Sequence, residues 1–126
     1  MVLVGIVTLI MLVQYIGFTL LVGKQRVTHG IKAPATTGHL LFDRAYRVQM
    51  NTLEQLVIAL PAMWLCGWSF SPIVAALLGL LFVFGRLLYA LGYMSDPDKR
   101  GAGMGLGFLA YCGMIGCALW GLVGKL

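Results

Sequence analysis

The sequence predicts an all-α integral membrane protein, a bundle of four transmembrane helices in a single domain over residues 1–126. Three observations carry that expectation. Hydrophobic residues make up 60% of the chain and charged residues only 10%, with a mean hydropathy of +0.93. Soluble domains sit near half apolar and a quarter charged, so this composition suits lipid. The apolar residues fall into four runs, each long enough to cross ~30 Å of hydrocarbon at ~1.5 Å per residue. The basic residues gather in the segments between particular runs rather than in a tail.

The first run, about 2–23, opens MVLVGIVTLIMLVQYIGFTLLVG. It lacks a charged n-region and a small-residue cleavage site, and reads as a retained anchor rather than a signal peptide. The segment HGIKAPATTGHL that follows is the one real loop, because Gly30, Pro34 and Gly38 with paired threonines stop a helix there. The second run covers about 45–68 and the third about 72–94. Only Ser69-Phe70-Ser71-Pro72 joins them, a turn whose proline suits the first position of the next helix. These two helices are therefore antiparallel neighbours. The fourth run, about 103–124, opens with GAGMGLG. A nucleotide-binding fingerprint would need a preceding strand and a βαβ unit, and neither is present. Gly103 and Gly107, then Gly113, Cys117 and Gly121, instead form small-residue rows that let helix backbones approach closely.

Lysine and arginine set the orientation. Lys24, Arg26, Lys32, Arg44 and Arg47 flank the loop region 24–41, and Lys99 and Arg100 lie in the segment 95–102. On the opposite side only Lys125 remains. The positive-inside rule then puts both charged segments in the cytoplasm and both termini outside, in a membrane expected to be a bacterial inner membrane. The net charge of +5 is spread over loops, which gives no footprint for nucleic acid. Cys66, Cys112 and Cys117 lie inside apolar runs with no C-x-x-C spacing, and read as small apolar filler. His29 and His39 read as solvated loop residues, and no metal site is expected.

The second helix carries an unusual load. Arg44, Arg47, Asn51 and Glu54 fall within an arc of about 80° at 100° per residue, a stripe roughly 15 Å long. Snorkelling explains arginines at a membrane boundary but not the short side chains of Asn51 and Glu54. A carboxylate in the bilayer costs a few kcal/mol and needs a partner or water. Arg86, Tyr89 and Tyr93, spaced i, i+3, i+7, supply a matching face on the third helix. Arg86 is the expected counter-ion of Glu54 in a structural ion pair. Together the two faces suit an elongated anionic ligand, with arginine forks for carboxylates and Glu54 for an ammonium or N–H.

FDRAYRVQMNTLE, at 42–54, resembles the pattern F-x-R-x-x-R-x-x-x-N-x-x-E of the MAPEG family, the membrane-associated proteins in eicosanoid and glutathione metabolism. GRLLYALGYMSDPDKR, at 85–100, is similar to the family's second signature, R-x-x-Y-x-x-x-Y followed by a basic residue. The likeness covers almost the whole chain and points to the microsomal glutathione transferases of bacterial type. It implies a homotrimer with glutathione, as co-substrate, bound between subunits near the cytoplasmic side. By position, Arg47, Asn51 and Glu54 would hold the tripeptide, with Gln49 contributing from the subunit interface. Tyr89 and Tyr93 would hydrogen-bond it, Arg26 would reach its terminal carboxylate, and Arg100 would be the catalytic residue beside the sulfur. Three departures separate the chain from leukotriene-forming members: Gln55 stands where they have tyrosine, Val27 where they have a second arginine, and SDPDK is more acidic. What remains is conjugation of glutathione to hydrophobic electrophiles drawn from the bilayer, with reduction of lipid hydroperoxides as a side activity.

Two other readings compete. A non-catalytic lipid-binding scaffold of the same family would lack parts of the glutathione set, which this chain retains. A small proton-coupled multidrug exporter needs one membrane carboxylate and an aromatic pocket; cations lined up beside Glu54 oppose proton cycling there. Proton-linked transport in liposomes separates that class from the others.

Overall fold

Local sequence explains where each helix begins and ends. The computed structural model describes residues 1–126 and contains four long helices: α1 (Val2–Thr28), α2 (Leu40–Ser69), α3 (Pro72–Ser95) and α4 (Gly101–Val123). A single 3-10 turn, Pro97–Arg100, leads into α4. The α1–α2 loop turns on Gly30 and Gly38, whose φ values of 65° and 150° favour glycine. At the start of α2, His39 Nδ1 accepts from the Leu41 N–H at 3.1 Å, and the Asp43 carboxylate accepts from the Gly38 N–H at 3.1 Å. The α2–α3 junction is as tight as expected. Ser71 caps α3 by accepting from the Val74 N–H, and Pro72 occupies the first turn, where a missing N–H costs nothing.

His39 is exposed, as expected of a solvated loop residue, whereas His29 is only half-buried at the end of α1. Their rings stack at 3.5 Å with 9° between planes, and His29 Nε2 lies 3.0 Å from Gln25 Oε1. The loop returns on itself, bringing the last turn of α1 against the cap of α2. Both helices also run further toward this loop than the apolar runs suggested, by about a turn each.

In the bundle, α2 and α3 are neighbours of one another and of both other helices, while α1 and α4 lie on opposite flanks of that pair. The core is filled by Val7 and Met11 of α1, Leu56, Ala59, Met63 and Cys66 of α2, Phe82 of α3, and Ala110 and Met114 of α4. Gln14 Nε2 donates to the Val83 carbonyl at 2.9 Å and ties α1 to α3. Small residues decide how closely α3 and α4 approach. A Cβ on Gly103 would run into the Tyr89 backbone nitrogen and lie 2.6 Å from the Gly85 carbonyl oxygen. The glycine rows are thus packing surfaces, as the sequence suggested.

Only 31 of 126 residues are buried although 60% are hydrophobic, so the outer surface is apolar. Water would not tolerate such a surface, and lipid does. Helices α1 and α3 and the segment Pro97–Val123 are long and apolar enough to cross a membrane. The expectation of four such spans is met by three on composition alone. The polar stripe of α2 lowers its hydropathy below that mark, yet α2 is the longest helix, 30 residues, and runs alongside the other three.

Candidate functional site

The polar residues of α2 and α3 separate into an inner and an outer set. Arg86 is 1% exposed and donates from Nη2 to Asn51 Oδ1 at 2.7 Å. Its guanidinium carbon lies 4.1 Å from the centroid of the Tyr89 ring, and the Tyr89 and Tyr93 rings stack at 5.6 Å. A buried cation is thus held by an amide oxygen and an aromatic face rather than by a carboxylate.

The expected Arg86–Glu54 pair is not formed. Glu54 instead accepts from Arg47 Nη1 at 3.4 Å, with both side chains about half exposed at 48% and 53%. Helix geometry gives the reason. Residues seven apart lie on one face, so Arg47 reaches along α2 to Glu54. Asn51 is turned about 60° from Glu54, enough to point inward at α3 while Glu54 stays on the outer surface. The 80° stripe therefore straddles the edge of the α2–α3 contact.

Arg44 has a structural task at the mouth. Its Nη1 donates to the Met94 and Ser95 carbonyls at 3.0 Å each, capping the last turn of α3 with a cation, where the helix dipole favours positive charge. Tyr89 and Val48 share a small cluster with Phe18 that packs α1 into the same region.

Gln49 and Arg26 lie elsewhere. Gln49 sits about 200° around α2 from Asn51, and its Nε2 donates to Thr19 Oγ1 of α1 at 3.0 Å. Arg26 lies seven residues after Thr19 and so shares its face of α1. Its Nη1 donates to the Ala35 carbonyl at 2.8 Å, and its guanidinium covers the Phe42 ring at 4.7 Å. Beside it opens a cleft of about 370 Å³ that includes Lys32. Thr19 was not singled out from the sequence and Phe42 only as the first position of the 42–54 motif, although the seven-residue spacings Thr19–Arg26 and Phe42–Gln49 signal a second shared face. Arg100, at the start of α4, is exposed and donates one hydrogen bond, to the Pro97 carbonyl at 3.1 Å.

One chain therefore brings together Asn51, Arg86, Tyr89 and Tyr93, sets Arg47 and Glu54 beside them, and holds Arg26 and Gln49 on a different side. An apolar cavity of about 590 Å³, lined by Met1, Pro61, Trp64, Leu65 and Trp68, lies at the end of α2 away from this polar set.

Residues 4–120 match the MAPEG family. An uncharacterised protein from Synechocystis is 42% identical over 106 residues, covering 84% of this chain and 77% of its own. Human microsomal glutathione S-transferase 2 is 36% identical over 117 residues, covering 91% of this chain and 80% of its own. Leukotriene C4 synthase from Cavia porcellus is 37% identical over 98 residues, covering 78% of this chain and 65% of its own.

Proposed function

The chain belongs to the MAPEG family, and from that premise we propose that it is a membrane-bound glutathione transferase that attacks hydrophobic electrophiles with the glutathione thiolate. The observation that carries the reading is the exposed Arg47–Glu54 pair beside the Asn51–Arg86–Tyr89 cluster on an otherwise apolar surface. Charge at that position suits a polar ligand with carboxylates and amides.

Gln49 and Arg26 cannot join that set within one chain, since they lie on the far side of α2. A second copy presenting its α1–α2 side to the Arg47–Glu54 surface would unite them. This supports glutathione bound between subunits of a homotrimer. Arg47, Asn51, Tyr89 and Tyr93 then act from one subunit and Arg26 and Gln49 from its neighbour, with Glu54 receiving an ammonium or N–H of the tripeptide.

Arg100 is the catalytic residue in this reading. A thiol near pKa ~8.5 is only a few per cent thiolate at neutral pH, and attack needs the thiolate. A guanidinium next to the sulfur lowers that pKa by ~1–3 units. The thiol proton leaves to solvent. The sulfur then forms a bond to the electrophilic carbon as the leaving group departs with its electron pair. With a lipid hydroperoxide the thiolate attacks the terminal peroxide oxygen, the O–O bond breaks to leave a glutathione sulfenic acid, and the departing alkoxide takes a proton from solvent to become the alcohol. A second glutathione converts that species to the disulfide and water. The charged loops facing the cytoplasm would supply glutathione, and the bilayer would supply the apolar partner.

Calorimetry of glutathione with detergent-purified protein, alongside ultraviolet absorbance of bound thiolate, tests the reading. Binding with a thiolate signal at neutral pH is expected. Absence of binding would leave the lipid-binding scaffold as the better account, and light scattering of the same sample tests the three-chain assembly.

A further inference from the structure

Arg86 was expected to balance Glu54, and its actual partner gives it a different task. We propose that Arg86 is a positioning residue that fixes which end of the Asn51 amide faces the ligand, so that this position offers a hydrogen-bond donor and selects an acceptor on the ligand. The proposal rests on the glutathione reading above and specifies how one part of that site discriminates.

The argument begins with hydrogen-bond chemistry. A guanidinium has donors only, whereas an amide has an acceptor end and a donor end. Arg86 Nη2 donates to Asn51 Oδ1 at 2.7 Å, so the oxygen must face α3 and the NH₂ group must face away. The reverse orientation would set donor against donor. Arg86 cannot easily move to allow it, because it is 1% exposed and lies against the Tyr89 ring, which is itself stacked on Tyr93.

The outward end of the amide is unpartnered and not fully shielded. Asn51 is 4% exposed, and its Nδ2 has no hydrogen bond within the chain. The buried side-chain atoms left without a partner are Arg44 Nε and Arg86 Nε, and Asn51 Nδ2 is not one of them. The small accessible part of Asn51 is therefore its donor end. Arg47 lies four residues before it and Glu54 three after, with their side chains joined across the outer surface. A ligand arriving here meets an N–H beside a cation and an anion. A carbonyl or carboxylate oxygen is the group that satisfies it.

Residue choice supports the same conclusion. An aspartate at position 51 would give the buried Arg86 an opposite charge and a stronger bond. It would also turn a second acceptor toward the ligand. Asparagine gives up the stronger internal pair and keeps the donor.

The test combines binding with melting. Glutathione affinity is measured by calorimetry on detergent-purified wild type, Asn51→Asp, Asn51→Ala, Arg86→Lys and Arg86→Gln, with a thermal melt of each. Asn51→Asp should melt above Asn51→Ala, because Arg86 keeps a partner, yet bind glutathione about tenfold or more weaker than wild type. Its KM should rise by more than its kcat falls. Arg86→Gln releases the amide to turn over and should weaken binding severalfold. Arg86→Lys, which still only donates, should recover part of that loss. Asn51→Asp binding glutathione as tightly as wild type would overturn the proposal. A wild-type protein that takes up no glutathione would sink the glutathione reading and the ligand half of this one. The melts decide the remaining half, which falls if Asn51→Asp melts no higher than Asn51→Ala.

Discussion

Arg100 spends one hydrogen bond on the Pro97 carbonyl and is otherwise exposed, which leaves most of its five donors free. If it stabilises the sulfur, its loss damages chemistry more than binding. Arg100→Ala is expected to cut turnover about tenfold or more near neutral pH, with a smaller change in glutathione affinity. The sign with pH follows from the thiol. Without the guanidinium its pKa rises, less thiolate exists near neutrality, and alkaline solution restores it. Turnover should therefore recover in part toward about pH 9. Assays with an aryl halide and a lipid hydroperoxide across that range check it, and wild-type turnover at neutral pH would reduce Arg100 to a membrane-boundary anchor. Glu54 tests a different balance. Losing one partner of a buried pair costs ~3–5 kcal/mol, but a half-exposed pair such as Arg47–Glu54 contributes only ~0–1 kcal/mol. Glu54→Gln is expected to leave the melting temperature nearly unchanged while glutathione affinity falls; a large drop in melting would mean the carboxylate is buried in the assembled protein.

Between elements, the glycines of α4 are not equivalent. At Gly103 an added Cβ meets the backbone of α3, which cannot swing aside, whereas at Gly113 it meets only the flexible Leu78 side chain at 3.3 Å. Gly103→Ala is expected to cost ~1–3 kcal/mol as α4 is forced off Tyr89. Gly113→Ala should be close to neutral, because alanine is the better helix former by up to ~1 kcal/mol. Thermal melts in one detergent compare them, and equal melting would refute the close approach of α3 and α4. The rows of small residues were legible in the sequence because spacing along a helix fixes a face. The partner of Arg86 was not. Spacing places Asn51 and Glu54 within one arc, but which of them meets α3 depends on how far α2 is rotated about its axis. A turn of about 60° exchanges them. The histidine stack was hidden for a related reason: the course of an eleven-residue loop, 29–39, is set by its turns and by Arg26 bonding to Ala35, not by periodicity.

For the whole molecule, orientation rests on one asymmetry. Of nine Lys and Arg residues, only Lys125 belongs to the end opposite the loops when Arg86 is counted with the inner half. Both termini are therefore expected outside. A Lys125→Cys variant, with the native cysteines replaced, should react with an impermeant maleimide from the outside of intact cells. Labelling that requires permeabilised membranes would invert the molecule. Lys125 donates to the Trp68 carbonyl at 3.2 Å and covers its ring, so a serine at 125 is the control for disturbance of that end.

The two-residue break between α2 and α3, Phe70-Ser71, has a mechanical consequence. Ser69 donates to the Ala118 carbonyl at 3.1 Å, and Gly121 brings the α4 backbone against the Ser69 carbonyl, so that junction is a pinned fulcrum. Asn51 lies 18 residues along α2 from Ser69, a lever arm of ~27 Å. A rocking of α2 by about 2° about the fulcrum displaces Asn51 by ~1 Å, a misplacement that can cost a reaction ~100-fold. In the proposed reading, the alignment of the glutathione groups then depends on how stiffly that junction holds α2, at the opposite end of the helix from Asn51.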